Sequence, residues 1–148
     1  MSLALACDIR IAAESASFLQ AFVKIGLVPD SGSTWLLPRI VGLTKALELM
    51  LTGQRVSARE ALEMKMINQV VSDADLAEHV AQMAKVFANA PTKTIGLIKQ
   101  AVKFASTSTL EEALHSEARL QEEAGKTSDH MEGVAAFLEK RPAQFKGE

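Results

Sequence analysis

Ile25-Gly26-Leu27-Val28-Pro29-Asp30-Ser31-Gly32-Ser33 divides the chain into two regimes. Two glycines, a proline, an aspartate and two serines within nine residues are turn chemistry. The chain upstream is mixed and strand-like, whereas downstream it is mostly helical. Asp30 has two readings. Aspartate after proline and near a glycine is common in turns and is a preferred helix N-cap. Alternatively, a carboxylate at a helix entrance beside Leu27, Val28 and Trp35 would be partly desolvated. Its pKa would then rise toward the range useful for moving a proton.

Working back from the turn, Ser17-Phe18-Leu19-Gln20 suits a short strand. Ile9, Ile11 and Ala13 alternate with Arg10 and Ala12, the period of a half-buried strand. Ser2 to Cys7 is a short apolar segment. Working forward, a helix is expected from about Ser33 to Val41, interrupted or kinked at Pro38. A second runs from Thr44 to Leu51 and ends at Gly53, a favoured C-terminal residue. Ser57-Ala58-Arg59-Glu60 and Thr109-Leu110-Glu111-Glu112 are capping boxes that open helices. Gln69-Val70-Val71 suits a strand, and Leu76, Val80, Met83 and Phe87 form one helical stripe that stops before Pro91. Further helices are expected from Thr92 to about Ala105, to about Ala124 after the second box, and from Ser128 to about Lys140. Two or three short strands cannot build a sheet with its own core, so this pattern looks like part of a larger fold.

The 148 residues are 48% hydrophobic and 23% charged, ordinary for a globular chain and unlike a disordered one. A net charge of −2 gives no electrostatic reason to expect nucleic acid or an anionic membrane as partner. No apolar run approaches the roughly 20 residues that span a bilayer. The N-terminus lacks the basic residues and length of a signal peptide. The single cysteine, Cys7, excludes an internal disulfide, suits a reducing cytoplasm, and is expected to be a buried small hydrophobe. The three histidines are scattered, with no metal-ligand spacing, so no metal is expected. There is no GxSxG, no GxGxxG and no phosphate-cradling glycine loop, which leaves carboxylates to carry any catalysis.

Among the other acids, Glu14 suits an exposed turn, and Glu111, Glu112, Glu117, Glu122 and Glu123 form a solvated helix face. Met50, Met64 and Met66 suit core filling. Glu139 to Lys146 combines three cations with Phe145. It is either a solvated helix end suited to the macrodipole or a phosphate contact.

Four segments together carry a resemblance. They are Ala6–Glu14, Ile25–Ser33, Leu51–Gln54 with Ala58–Asn68, and Phe137–Pro142 with Phe145. In order and spacing the chain resembles the enoyl-CoA hydratase/isomerase, or crotonase, family over nearly its whole length. The resemblance implies an α/β fold, a β-β-α spiral. The chain, itself mostly α, would supply the last turn of the spiral and the helical C-terminal region. Residues 1–52 would end the spiral core and carry the active-site turn, and residues 53–148 would form the helical trimerisation region of one continuous domain. Partners implied are an acyl-CoA thioester and further copies in a homotrimer or hexamer, with no cofactor beyond the coenzyme A of the substrate.

In this family two backbone amides stabilise a thioester enolate, and carboxylates around the acyl chain choose the reaction. The two glutamates of the hydratases fall at Ser2 and Phe22, so crotonase-type hydration is not expected. Asp30 falls where some isomerases carry their working aspartate. The Gly26–Gly32 wording is similar to members that isomerise ring-epoxide phenylacetyl-CoA, which are themselves similar to 3-enoyl-CoA isomerases. Asp30 is then the acid–base, and Phe22 an apolar wall that keeps water out, with Leu27 and Trp35 beside the acyl group. Lys140 becomes a contact for the coenzyme A phosphates. Both amide donors would lie before Met1, so these residues alone are expected to be an inactive piece. Two other readings stay open: an enoyl-CoA hydratase of fatty-acid degradation, and a non-catalytic helical assembly module.

Overall fold

The structure, a computed structural model, describes residues 1–148. The chain forms two compact units, Met1–Val80 and Ala81–Glu148. In the first, a short helix α1 (Ser2–Leu5) precedes strands β1 (Ile11–Ala13) and β2 (Ser17–Leu19). A 3-10 segment, Ala21–Ile25, then leads into the turn and helices α2 (Ser33–Val41) and α3 (Leu43–Thr52). Strand β3 (Arg55–Ser57), helix α4 (Ala58–Glu63) and strand β4 (Gln69–Val71) follow. Helix α5 (Leu76–Ala88) runs across the division, and the second unit holds α6 (Thr92–Ala105), α7 (Leu110–Gly125) and α8 (Ser128–Glu139).

The strands pair only two by two. β1 lies parallel to β4, with Ala12 opposite Val70, and β2 antiparallel to β3, with Phe18 opposite Val56. Neither pair has a core of its own, as two short strands cannot. Burial comes instead from helices packed on them: Leu37 of α2, Ala46, Leu49 and Met50 of α3, Ala58 and Ala61 of α4, and Met66 close one apolar cluster. Met50 and Met66 lie in this cluster and Met64 packs against it, as expected.

Local punctuation sets the helix ends. Ser57 and Thr109 each accept from the amide three residues on, and Glu60 and Glu112 reach back to the cap amide. These bonds hold both glutamate carboxyls below their ordinary value. Three expectations change. Helix α2 runs through Pro38 to Val41; the one bond lost is to the carbonyl of Thr34, in the exposed first turn. β3 was not anticipated, because Arg55-Val56-Ser57 is too short to show a period and is a strand only through its pairing with β2. Cys7 is exposed rather than buried, since it lies just beyond α1 on a solvent-facing bend.

Candidate functional site

The Pro29–Ser33 turn is built by its main chain. The Ser33 amide donates to the Asp30 carbonyl oxygen at 3.0 Å and Ser33 Oγ to the same oxygen at 2.9 Å. Between them Ser31 (φ 52°) and Gly32 (φ 78°) are both left-handed. Glycine takes this conformation freely, but serine does so at a cost of roughly 1 kcal/mol or more. Gly32 is the N-cap of α2, whose start receives no side-chain cap. The Asp30 carboxylate therefore does not cap the helix. It accepts only from Ser31 Oγ, at 2.9 Å.

The expected neighbours lie along the same segment and helix, but they do not enclose the carboxylate. Asp30, Leu27, Val28 and Trp35 are all exposed, so the anticipated partial desolvation is not supplied by these residues. Trp35 carries the Arg39 guanidinium 3.9 Å from its ring centroid, and Arg39 also donates to the Trp35 carbonyl. This cation–π contact pairs the indole with a guanidinium one turn further along α2. Arg39 drew no attention in the sequence, although its i, i+4 spacing from Trp35 is a usable signal. Phe22 sits half-buried in the 3-10 segment, and its carbonyl accepts from the Leu27 amide at 3.0 Å, which closes the entry to the turn. No three His, Cys, Asp or Glu side chains gather to hold a metal.

Lys140 belongs to the second unit. It ends α8 in a left-handed conformation (φ 54°), is exposed, and makes no salt bridge. Arg141, by contrast, is committed. It forks onto Glu132 with bonds of 2.6 and 2.9 Å and reaches Glu139 at 2.6 Å. The Gln144 amide adds a further bond to Glu132 at 2.8 Å. From there the tail returns along α8 to its start. Asp129, 3% exposed, takes the amides of Lys146 and Gly147 at 2.7 and 2.8 Å, and Ser128 Oγ donates to the Glu148 carbonyl at 2.7 Å. Of the three cations singled out in this segment, Arg141 is structural, Lys146 faces the Glu132 carboxylate, and Lys140 makes no salt bridge.

The guanidinium bonds, with help from the Gln144 amide, pull the Glu132 carboxyl down from 4.5 to about 2. A depressed pKa contributes stability that is fully present above the ordinary value and is lost as pH falls through the folded one. The Tm gap between wild type and Glu132→Gln should therefore be open at pH 7 and close between pH 4.5 and 2. A gap that stays constant across that window would show that the Arg141 fork contributes no pH-dependent stability.

Comparison with known proteins places these elements. The family model for enoyl-CoA hydratase/isomerase matches residues 1–148. The chain is 51% identical over 146 residues to the 1,2-epoxyphenylacetyl-CoA isomerase of Escherichia coli, covering 99% of this chain and 56% of that protein. It is 38% identical over 117 residues to a 4-chlorobenzoyl coenzyme A dehalogenase of an Arthrobacter species, covering 79% of this chain and 42% of that protein. Among solved structures, an enoyl-CoA hydratase from Bacillus anthracis superposes with a TM-score of 0.93 at 38% identity, over 99% of this chain and 57% of that one. The chain spans about half the length of the curated relatives it matches. The likeness extends from the first strands through the turn to the C-terminal helices, at high structural similarity and substantial identity. This chain belongs to the enoyl-CoA hydratase/isomerase family, with the α/β fold of the crotonases.

Proposed function

We propose that this chain carries the acid–base half of an acyl-CoA isomerase, acting on a 3-enoyl-CoA or on a ring-epoxide phenylacetyl-CoA. One observation above all supports the reading: the turn and the start of α2 are held at the Asp30 and Gly32 carbonyls, and the Asp30 carboxylate makes a single bond, from the adjacent Ser31 Oγ. A strained serine bonded to an exposed carboxylate is the pattern of a functional turn. The relatives with isomerase and dehalogenase names show how widely chemistry varies on this framework, so the site residues must choose it.

In the double-bond shift, the carboxylate takes a proton from C2 and the C–H electrons pass into the thioester as an enolate. Asp30, now protonated, returns the proton at C4, and the double bond ends between C2 and C3. Two amide donors for the enolate oxygen come from polypeptide outside these 148 residues. Phe22 presents no carboxylate to activate water and walls the acyl chain, with Leu27 and Trp35 alongside. Lys140, free of ion pairs, pairs with a coenzyme A phosphate, and no cofactor is needed. A trimeric or hexameric assembly in the cytoplasm would cover exposed apolar side chains of the second unit such as Phe137, 82% exposed. No helix is long and apolar enough to cross a membrane.

The test joins this chain to the upstream portion of the Escherichia coli relative and follows three reactions: 3-enoyl-CoA isomerisation, ring-epoxide isomerisation and enoyl-CoA hydration. Isomerisation of either substrate in excess of hydration is expected. Hydration as the dominant activity would replace the isomerase reading with the hydratase one. A stable oligomer with no turnover would leave only the assembly module.

A further inference from the structure

The geometry points to Gly53 as a positioning residue that fixes Phe22 and thereby decides between isomerisation and hydration; the inference rests on the isomerase reading above. The 3-10 segment Ala21–Ile25 contributes no fully buried residue and has no side-chain cap. Its attachment to the core lies at its flanks. Gln20, immediately before it, is 2% exposed. Gly53, the left-handed C-cap of α3 (φ 55°), closes on the segment from the other side.

The closure leaves tight room for a side chain. A Cβ at Gly53 would lie 3.0 Å from Lys24 Cε, 3.2 Å from the Gln20 carbonyl oxygen and 3.3 Å from Val23 Cγ1. The lysine end can swing away. The carbonyl is main chain, however, and Val23 is branched and stiff. Relief therefore requires the main chain at Gln20 and the Val23 side chain to give by a few tenths of an ångström. Phe22 lies between Gln20 and Val23 and moves with them.

A second observation marks the same junction. The Gln20 carboxamide is buried with neither its oxygen nor its nitrogen hydrogen-bonded. An enclosed unpaired amide destabilises a fold relative to an apolar side chain of similar size. A junction that served stability alone would carry leucine or methionine there. Where sequence departs from the stabilising choice, function is the usual reason.

The chemical consequence follows from Phe22. If the ring is displaced, water reaches the 2-enoyl product, its oxygen bonds to C3 and a proton ends on C2, giving the 3-hydroxyacyl-CoA. The experiment uses the joined enzyme described above, with 3-enoyl-CoA as substrate, and reads the ratio of hydrated to isomerised product. Gly53→Ala should raise that ratio by about threefold or more, since a shift of a full ångström at a site is worth about 10²-fold and this one is a fraction of it. Gly53→Asn should do the same while tolerating the left-handed backbone better, which covers the case in which the alanine variant does not fold. Phe22→Ala serves as the benchmark for a removed wall. Hydrate from Phe22→Ala but a ratio within twofold of wild type in both folded Gly53 variants would overturn the role of Gly53 alone. Absence of isomerisation by the wild type would overturn the isomerase reading instead.

Discussion

Replacing Asp30 with asparagine in the joined enzyme should lower isomerisation by about 10²–10⁴, the usual worth of a positioned acid–base. The substitution is unusually clean. The bonds that shape the turn run from Ser33 to the Asp30 main-chain carbonyl, and these survive any change of side chain. Asparagine keeps the oxygen that accepts from Ser31 Oγ. The site is exposed, so stability should change by no more than about 0.5 kcal/mol. A fall in rate with an unchanged Tm therefore reports chemistry. Measured by the absorbance of the conjugated thioester, a loss under about threefold would return Asp30 to an ordinary turn residue.

The second large effect concerns stability. Asp129 is nearly fully buried, and its two oxygens each accept one main-chain amide, from Lys146 and Gly147. Hydrogen bonds to a charged acceptor contribute about 1.5–3 kcal/mol each, and removing the acceptor leaves the donors unpaired. Asp129→Ala should thus cost about 3–5 kcal/mol in denaturant unfolding, with the loss in the second unit. Asp129→Asn, which keeps one acceptor oxygen, should cost roughly half as much. Equal costs for the two variants would mean that volume, and not the amide pair, sets the stability at this position. Isomerisation per folded molecule should be unaffected by either change, since Asp129 lies outside the proposed machinery.

The helix boundaries were legible because their causes are local. A capping box needs only residues i and i+3, and both boxes form with the bonds their side chains predict. Gly53 ends α3 in the conformation that suits glycine. The strand at Ser17–Leu19 and that at Gln69–Val71 were readable from short apolar runs between turn signals. Asp30 stood out by its setting after proline, and Lys140 by its place among cations near a helix end. Their proposed roles came from the family resemblance and not from spacing.

Other features depended on partners far along the chain. β3 is a strand because Val56 meets Phe18, 38 residues earlier, and nothing within Arg55–Ser57 announces it. Gln20 looked like the polar end of a strand, yet it is buried and unpaired behind the 3-10 segment. Cys7 had the composition of a core residue and lies in solvent. Asp129, in the first turn of α8, clamps amides 17 and 18 residues away. Helix ends, the residues able to carry chemistry and the family were thus written along the chain. Which of those residues are paired depends on the folded arrangement, since capping and periodicity act within four residues while burial and pairing depend on contacts tens of residues apart. That division separates Asp30, whose carboxylate bonds only its neighbour Ser31, from Arg141 and Asp129, whose charges the fold consumes.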